Sequence, residues 1–144
     1  MTEMTAAQSR NLHVGIDIGS TTVKAVVLDA DTNEELFGVY RRHGSQQIQA
    51  TLRVLDEIVA RFPLSHIRCA LCGSGSEDIA RGIGAPFIQE VVAGATAVRA
   101  LYPQANCTIE LGGQDAKMIF FRRDPATQTL NVADMRMNGS CAGG

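Results

Sequence analysis

Residues 15 to 24 have the sequence Gly-Ile-Asp-Ile-Gly-Ser-Thr-Thr-Val-Lys, which predicts the end of one strand, a turn of small residues and the start of a second strand. Apolar residues occupy every second position from Leu12 to Ile18, the period of a half-buried strand. The second strand is expected at 23–28, and turn-forming residues follow it at 29–33. A third strand at 36–41 completes an antiparallel meander.

The next segment predicts helices around one short strand. Ser45 is the expected N-cap of a helix whose apolar residues recur at helical spacing until Pro63. A buried strand is expected at 67–72, and Ser76 is the expected cap of a short helix. The Ala- and Val-rich segment 90–102 predicts a further helix, so the element order is βββαβα.

The meander pattern returns near the C-terminal end of the sequence. Strands are expected at 108–111, 116–122 and 129–137. In the last strand the alternation slips between Val132 and Ala133, which indicates either a bulge or an irregular register.

We therefore expect a disordered tail over 1–11, a complete domain over 12–104 and the first three strands of a second domain over 105–144. Three strands with one uncovered apolar face do not make an independent domain, so we expect the front part of a longer protein. The apolar residues of that face are expected to lack a covering helix, which predicts self-association through residues 105–144, or disorder of that segment if no partner is found. They are Ile109, Leu111, Ile119, Phe121, Leu130 and Val132.

The composition narrows the class of protein. The 144 residues are 45% hydrophobic and 19% charged, which is typical of a globular chain. The formal net charge of -2 gives no field that attracts nucleic acid or an anionic membrane. No apolar run approaches the ~18 residues of a membrane span, and the N-terminus does not resemble a signal peptide. We expect a cytoplasmic protein with four free or metal-bound cysteines and neither nucleic-acid nor membrane partners.

The first turn has the composition of a phosphate-binding turn. Gly19, Ser20, Thr21 and Thr22 offer backbone N–H groups and short hydroxyls that surround phosphate oxygens without steric hindrance. Asp17 precedes them on the strand, where a carboxylate can hold Mg²⁺ directly or through water. Taken alone, these residues fit an ordinary hairpin turn with a solvated aspartate equally well.

A second, similar turn favours the phosphate interpretation. Gly112-Gly-Gln-Asp115 lies about ninety residues downstream, and a lysine follows each turn, Lys24 and Lys117 respectively. Two facing hairpins of this kind clamp a polyphosphate from both sides. The sequence contains neither a P-loop nor a complete dinucleotide-binding fingerprint.

Three segments resemble, in order and spacing, motifs of the BadF/BadG/BcrA/BcrD ATPase family. They are residues 15–24, Glu110-Leu-Gly-Gly-Gln-Asp-Ala-Lys117 and Met137-Asn-Gly-Ser-Cys-Ala-Gly-Gly144. This family contains the activators of 2-hydroxyacyl-CoA dehydratases and the ATP-hydrolysing subunits of benzoyl-CoA reductases. The resemblance covers about residues 12 to 144. It implies an α/β fold of the actin-like ATPase (ribonuclease H-like) type with a mixed sheet.

The resemblance also implies a function. The expected protein is a homodimeric ATPase that holds one [4Fe-4S] cluster between two subunits and drives a low-potential electron into a CoA-ester dehydratase or reductase. Asp17, Asp115 and Gln114 are the implied catalytic residues, of which the carboxylates organise Mg²⁺ or water, and Cys141 is the implied cluster ligand. The implied ATP-binding residues are Gly19, Ser20, Thr21, Thr22, Lys24, Gly112 and Gly113.

The sequence departs from the family pattern at three points. Glu110 stands where the second phosphate motif usually opens with Asp, and its longer side chain is expected to displace a metal-bound water. Gly139 and Ser140 stand where simple activators often have Asp-Lys. The second cluster cysteine and the adenosine-binding Gly-Gly motif of the family are expected downstream of residue 144.

Two other functions stay open at this point. One is a sugar or acetate kinase-like phosphotransferase, in which Asp115 serves a hydroxyl acceptor instead of water. The other is a non-catalytic regulatory module of the same fold.

The remaining cysteines and the histidines predict no site. Cys69 and Cys72 have C-x-x-C spacing, but an offset of three along a strand points their thiols to opposite faces. We therefore expect buried structural cysteines there, and likewise at Cys107. His13, His43 and His66 have no partner spacing, and no catalytic role is assigned to them.

Overall fold

The computed structural model describes residues 9–112 and 116–138, and the chain divides into two units, Met1–Ile88 and Gln89–Gly144. Each unit is built around one β-sheet. The predicted elements are all present in the expected order, with shifts of one or two residues at their ends.

In the first unit, the predicted meander consists of β1 (Asn11–Ile18), β2 (Thr22–Asp29) and β3 (Glu35–Arg42). A fourth strand, β4 (His66–Cys72), pairs in parallel with β1, so the strand order is β3-β2-β1-β4. An isolated parallel bridge between Leu71 and Phe87 adds one more pairing to β4. The sheet is therefore mixed, as expected.

Two helices contribute to the core of this unit, α1 (Gln47–Arg61) and α2 (Glu77–Ile83). The alternation of β1 places every second side chain in that core, from Leu12 to Ile18, and each is at most 3% exposed. Val54 and Ile58 of α1 pack there as well. Other apolar residues of α1 are half exposed or more, namely Ile48, Leu52 and Val59.

The expected helix cap at Ser45 is wrong. The N-cap of α1 is Gln46, which makes no side-chain capping hydrogen bond. Ser45 lies in a left-handed backbone conformation with φ 66°, and its N–H donates to Nδ1 of His43 at 3.1 Å. Ser76 does occupy the N-cap position of α2, but its hydroxyl donates to the Gly73 carbonyl at 2.8 Å instead of accepting from the helix.

The second unit has a helix that the sequence had assigned to the first. Its antiparallel sheet has the order β5 (Cys107–Leu111), β6 (Ala116–Arg123), β7 (Leu130–Asn138), and α3 (Glu90–Leu101) packs against it. The structural division after residue 88 therefore differs from the boundary expected after 104. Helical periodicity identifies an apolar face, but it does not identify which sheet that face covers.

The helix α3 corrects the expectation of one wholly uncovered apolar face. Ile119, Phe121 and Leu130 are at most 7% exposed and form a core with Ala95 of α3. Ile109 is 61% exposed. Its register partner is Met118, so it belongs to the opposite, open face of the sheet.

The slip in the alternation of β7 is a β-bulge. Phe121 pairs with Val132, whereas the preceding Phe120 pairs with Asp134, so Ala133 has no partner across the ladder. The sequence had left an irregular register as the alternative.

None of the helices in the described residues is both long and apolar enough to cross a membrane.

Candidate functional site

The turn between β1 and β2 presents the predicted small residues at the end of the first sheet. Its base is closed by a hydrogen bond from the Gly19 N–H to the Thr22 carbonyl at 2.9 Å. Ser20 is partly exposed and Thr21 is exposed, whereas Thr22 is buried at the start of β2. The structure thus brings the residues predicted for the first phosphate loop together in one accessible turn.

Asp17 and Lys24 face each other across the base of this turn as register partners of β1 and β2. The Lys24 Nζ lies 2.7 Å from Asp17 Oδ2 and 5.8 Å from the centre of the Tyr40 ring. The pair is partly exposed. The lysine therefore neutralises the aspartate directly beside the turn.

The second oxygen of Asp17 is suited to a cation. Asp17 Oδ1 is buried and has no hydrogen-bond partner within the part of the chain that the structure describes. Leaving a buried carboxylate oxygen unpaired is costly, so an ion or an ordered water bound there would stabilise the site. Mg²⁺ prefers one or two carboxylates together with phosphate oxygens and water. Asp17 thus fits the predicted magnesium-organising role.

A glycine turn that the sequence had not assigned to the site lies against Asp17. A Cβ added to Gly73 would come within 3.0 Å of Asp17 Oδ1 and of the Ile18 carbonyl, and Gly73 has φ 95°. The Gly75 N–H donates to that same carbonyl at 2.9 Å. Glycine at position 73 is therefore required by close packing against the end of β1.

Two further residues missed by the sequence interpretation support the turn. His43 is buried, and its Nε2 lies 3.1 Å from the Gly19 carbonyl oxygen. Gln47, the first residue of α1, donates from Nε2 to the same oxygen at 3.4 Å. These partners are 24 and 28 residues from Gly19, so local sequence patterns carried no signal for them.

The second predicted turn is described only in part. Gly112 directly follows β5, and Gly113, Gln114 and Asp115 lie outside the described residues, as does Cys141. Their roles therefore remain predictions.

The hairpin that contains the second turn repeats the acid and lysine arrangement of the first. Glu110 and Lys117 are register partners of β5 and β6, as Asp17 and Lys24 are of β1 and β2. Lys117 is buried, and its Nζ lies 2.7 Å from Glu90 Oε2 and 3.8 Å from Glu110 Oε1. It thus neutralises two carboxylates of the second unit.

The described cysteines do not form a chelating site. Cys69 packs against the core, whereas Cys72 is the register partner of Asp17, so the two thiols lie on opposite faces as predicted. Burial raises the pKa of the Cys69 thiol and disfavours its thiolate. Cys107 was expected to be buried, but it is exposed because it begins β5 on the open face. No group of three or more His, Cys, Asp or Glu side chains suited to a metal occurs among the described residues.

The accessible small-residue turn and the adjacent carboxylate are accompanied by a family match that spans almost the whole sequence. Residues 14–144 match the BadF/BadG/BcrA/BcrD ATPase family. The chain belongs to this family. It is also 25% identical over 131 residues to an uncharacterized protein of Methanocaldococcus jannaschii, a match that covers 91% of this chain and 50% of the relative.

Solved structures place the chain in the actin-like ATPase fold, as predicted. The activator of the 2-hydroxyisocaproyl-CoA dehydratase from Clostridium difficile, solved with bound ADPNP, is 25% identical with a TM-score of 0.74. Component A of the Acidaminococcus fermentans (R)-2-hydroxyglutaryl-CoA dehydratase is 24% identical with a TM-score of 0.73. The matches cover 91% of this chain but only 47% and 48% of those chains. The chain thus spans about half the length of these relatives.

Proposed function

We propose that the protein is part of an ATP-hydrolysing activator that drives a low-potential electron into a 2-hydroxyacyl-CoA dehydratase or benzoyl-CoA reductase type of enzyme. The observation that carries this proposal is the turn at Gly19 beside Asp17 Oδ1, which has no hydrogen-bond partner among the described residues. The chain matches an ATPase family from residue 14 to residue 144. The similarity to an activator of one CoA-ester dehydratase and to component A of another supports the choice of partner.

In this proposal the first turn contacts phosphate oxygens of ATP. Backbone N–H groups of a small-residue turn donate to the anion, and the hydroxyls of Ser20 and Thr21 add further donors. The Asp17 carboxylate would hold Mg²⁺, directly or through water, and Lys24 would limit its negative charge. The ADPNP bound to the Clostridium difficile activator supports ATP as the ligand.

The proposed reaction is transfer of the γ-phosphoryl group to water. Its transition state carries negative charge on the equatorial oxygens, which prearranged N–H donors and Mg²⁺ stabilise. The family resemblance implies that Asp115 organises Mg²⁺ or the attacking water, and that Gly112, Gly113 and Gln114 form the second phosphate loop.

The proposed [4Fe-4S] cluster would supply the one-electron chemistry. Cys141 would bind it, which is supported by the resemblance of the motif at 137–144 to the cluster-cysteine motif of the family. Such a cluster needs four thiolates, so the proposal includes a homodimer in which each subunit provides two.

The test is ATP hydrolysis by the anaerobically purified full-length protein, measured as phosphate release. We expect Asp17→Asn to lower kcat about 100-fold, because loss of a metal-organising carboxylate removes several kcal/mol of transition-state stabilisation. The matched control is Asp31→Asn in the exposed β2–β3 turn, which should retain wild-type activity. Equal activity of both variants, or ADP release that requires a sugar or acetate, would contradict the proposal.

A further inference from the structure

We propose that His43 is a positioning residue that orients the N–H groups of the Gly19 turn toward the phosphates. The inference rests on the proposed function, since it assigns a role to a residue behind the proposed ATP site. His43 follows the last residue of β3 and reaches the turn from the side of the carbonyl oxygens.

The side chain of His43 is held in one tautomer by its partners. It is only 7% exposed. Nδ1 accepts a hydrogen bond from the Ser45 N–H at 3.1 Å, so the ring proton belongs on Nε2. Nε2–H then donates to the Gly19 carbonyl oxygen, 3.1 Å away. The ring therefore links the turn before α1 to the turn between β1 and β2.

The backbone of the same residue holds a second carbonyl of the turn. The His43 N–H donates to the Thr21 carbonyl at 3.1 Å. Together with the side-chain hydrogen bond to the Gly19 carbonyl, this bond directs two carbonyl groups of the turn toward His43. Gln47 reinforces the first of them from α1 at 3.4 Å.

Fixing these carbonyl groups also fixes the direction of the amide hydrogens. No cis peptide bond occurs among the described residues. In a trans peptide the C=O of one residue and the N–H of the next point in opposite directions. Because the Gly19 C=O points at His43, the Ser20 N–H points away from it. An anion is attracted by N–H groups and repelled by carbonyl oxygens, so this orientation prepares the turn for phosphate.

The chain between β3 and α1 is shaped to place the ring there. Gly44 and Ser45 both have positive φ, 54° and 66°, which is uncommon for a serine. This local change of chain direction places the Ser45 N–H within hydrogen-bonding distance of His43 Nδ1. It also holds the ring beside the Gly19 carbonyl. The strained serine is thus explained by the position of His43.

Two substitutions separate the two hydrogen bonds of the ring. The amide nitrogen of His43→Gln can replace Nε2 as the donor to Gly19, but the variant loses the acceptor for Ser45. The amide oxygen of His43→Asn can replace Nδ1 as that acceptor, but the variant cannot reach Gly19. Both variants remove one bond from the same buried position, so they provide matched controls for loss of stability.

The experiment measures the Kd for Mg-ATP by calorimetry, and the thermal unfolding midpoint, of both variants of the full-length protein. We expect His43→Asn to weaken ATP binding about ten-fold and His43→Gln to restore most of that affinity, at similar unfolding midpoints. If His43→Asn keeps the wild-type affinity, or if affinity falls only in proportion to the unfolding midpoint in both variants, the inference is wrong.

A nucleotide-free measurement separates this inference from the proposed function. Without ligand, amide hydrogen exchange in the peptide that contains residues 19–24 should be faster in His43→Asn than in His43→Gln. If wild-type protein binds no ATP, the proposed function fails, and the exchange rates still decide whether His43 orders the turn. Equal exchange in both variants would overturn the positioning role.

Discussion

At the scale of single residues, two aspartates close the β2–β3 and β6–β7 hairpins in the same way. Asp29 Oδ1 accepts backbone N–H bonds from three and two residues downstream at 3.1 and 3.0 Å, and Asp124 Oδ1 does so at 3.0 and 2.8 Å. These backbone hydrogen bonds lower the pKa of both carboxyls below the usual value of an aspartate, because they favour the ionised form. The internal repeat thus extends beyond the first turn of each meander to its second turn.

The lowered pKa values predict a pH dependence of stability. A carboxyl whose folded pKa lies below its unfolded value stabilises the fold above the unfolded pKa, and this contribution is lost as the pH falls through the folded pKa. We expect Asp29→Asn to lower the thermal unfolding midpoint at pH 7 and to differ less from wild type at pH 3. Asp31→Asn is the control, since Asp31 provides its backbone N–H to this turn. If the difference in unfolding midpoint between Asp29→Asn and wild type is as large at pH 3 as at pH 7, the ionised Asp29 carboxylate is not its source.

At the scale of elements, the Gly73-Ser-Gly75 turn determines how closely β4 approaches the end of β1. An alanine at 73 would need a left-handed conformation and would place its Cβ within 3.0 Å of the Ile18 backbone. We expect Gly73→Ala to cost about 2 kcal/mol or more in the free energy of unfolding, measured by urea denaturation.

A matched glycine tests the same substitution without the close contact. A Cβ at Gly82, inside α2, meets no atom within 4 Å. Gly82→Ala should therefore be neutral or stabilise the protein by up to about 1 kcal/mol, because alanine favours helix. If the free energy of unfolding falls by a similar amount in both variants, the close packing of Gly73 against β1 is not the cause of the destabilisation.

Which elements exist could be predicted, because each depends on local pattern. The alternation in β1 and the prolines after α1 and α3 are examples of such signals. The sheet that α3 covers could not be predicted, because this depends on packing between distant residues such as Ala95 and Ile119. His43 was missed for the same reason. The Ser45 cap was wrong because Ser45 adopts a left-handed conformation with φ 66°, whereas an N-cap residue takes the β region.

At the scale of the whole molecule, the activator proposal depends most strongly on Cys141. In anaerobically purified full-length protein, we expect Cys141→Ser to remove at least about half of the iron and sulfide, since a dimeric cluster would lose two of four thiolates. The dimer should also dissociate more readily in sedimentation. ATP binding should persist, because the first turn does not include this residue.

Cys107→Ser is the matched control for the cluster experiment. Cys107 is exposed in the structure, as a ligand-competent thiol would be, but it lies outside the family motif. Iron and sulfide should be unchanged in this variant. A full cluster in Cys141→Ser, or its loss in Cys107→Ser, would contradict the assignment of Cys141 as the cluster ligand.

The bulge at Ala133 has a consequence for every residue after it. Because strand side chains alternate with a period of two, the extra residue reverses the parity of the rest of β7. Charged Asp134 and Arg136 are thereby placed opposite Phe120 and Met118, on the open face. If Ala133 instead paired with Phe120, Asp134 would lie opposite Ile119, and both charged side chains would turn to the face that α3 covers. The one unpaired residue thus keeps two charged side chains of β7 out of the core of the second unit.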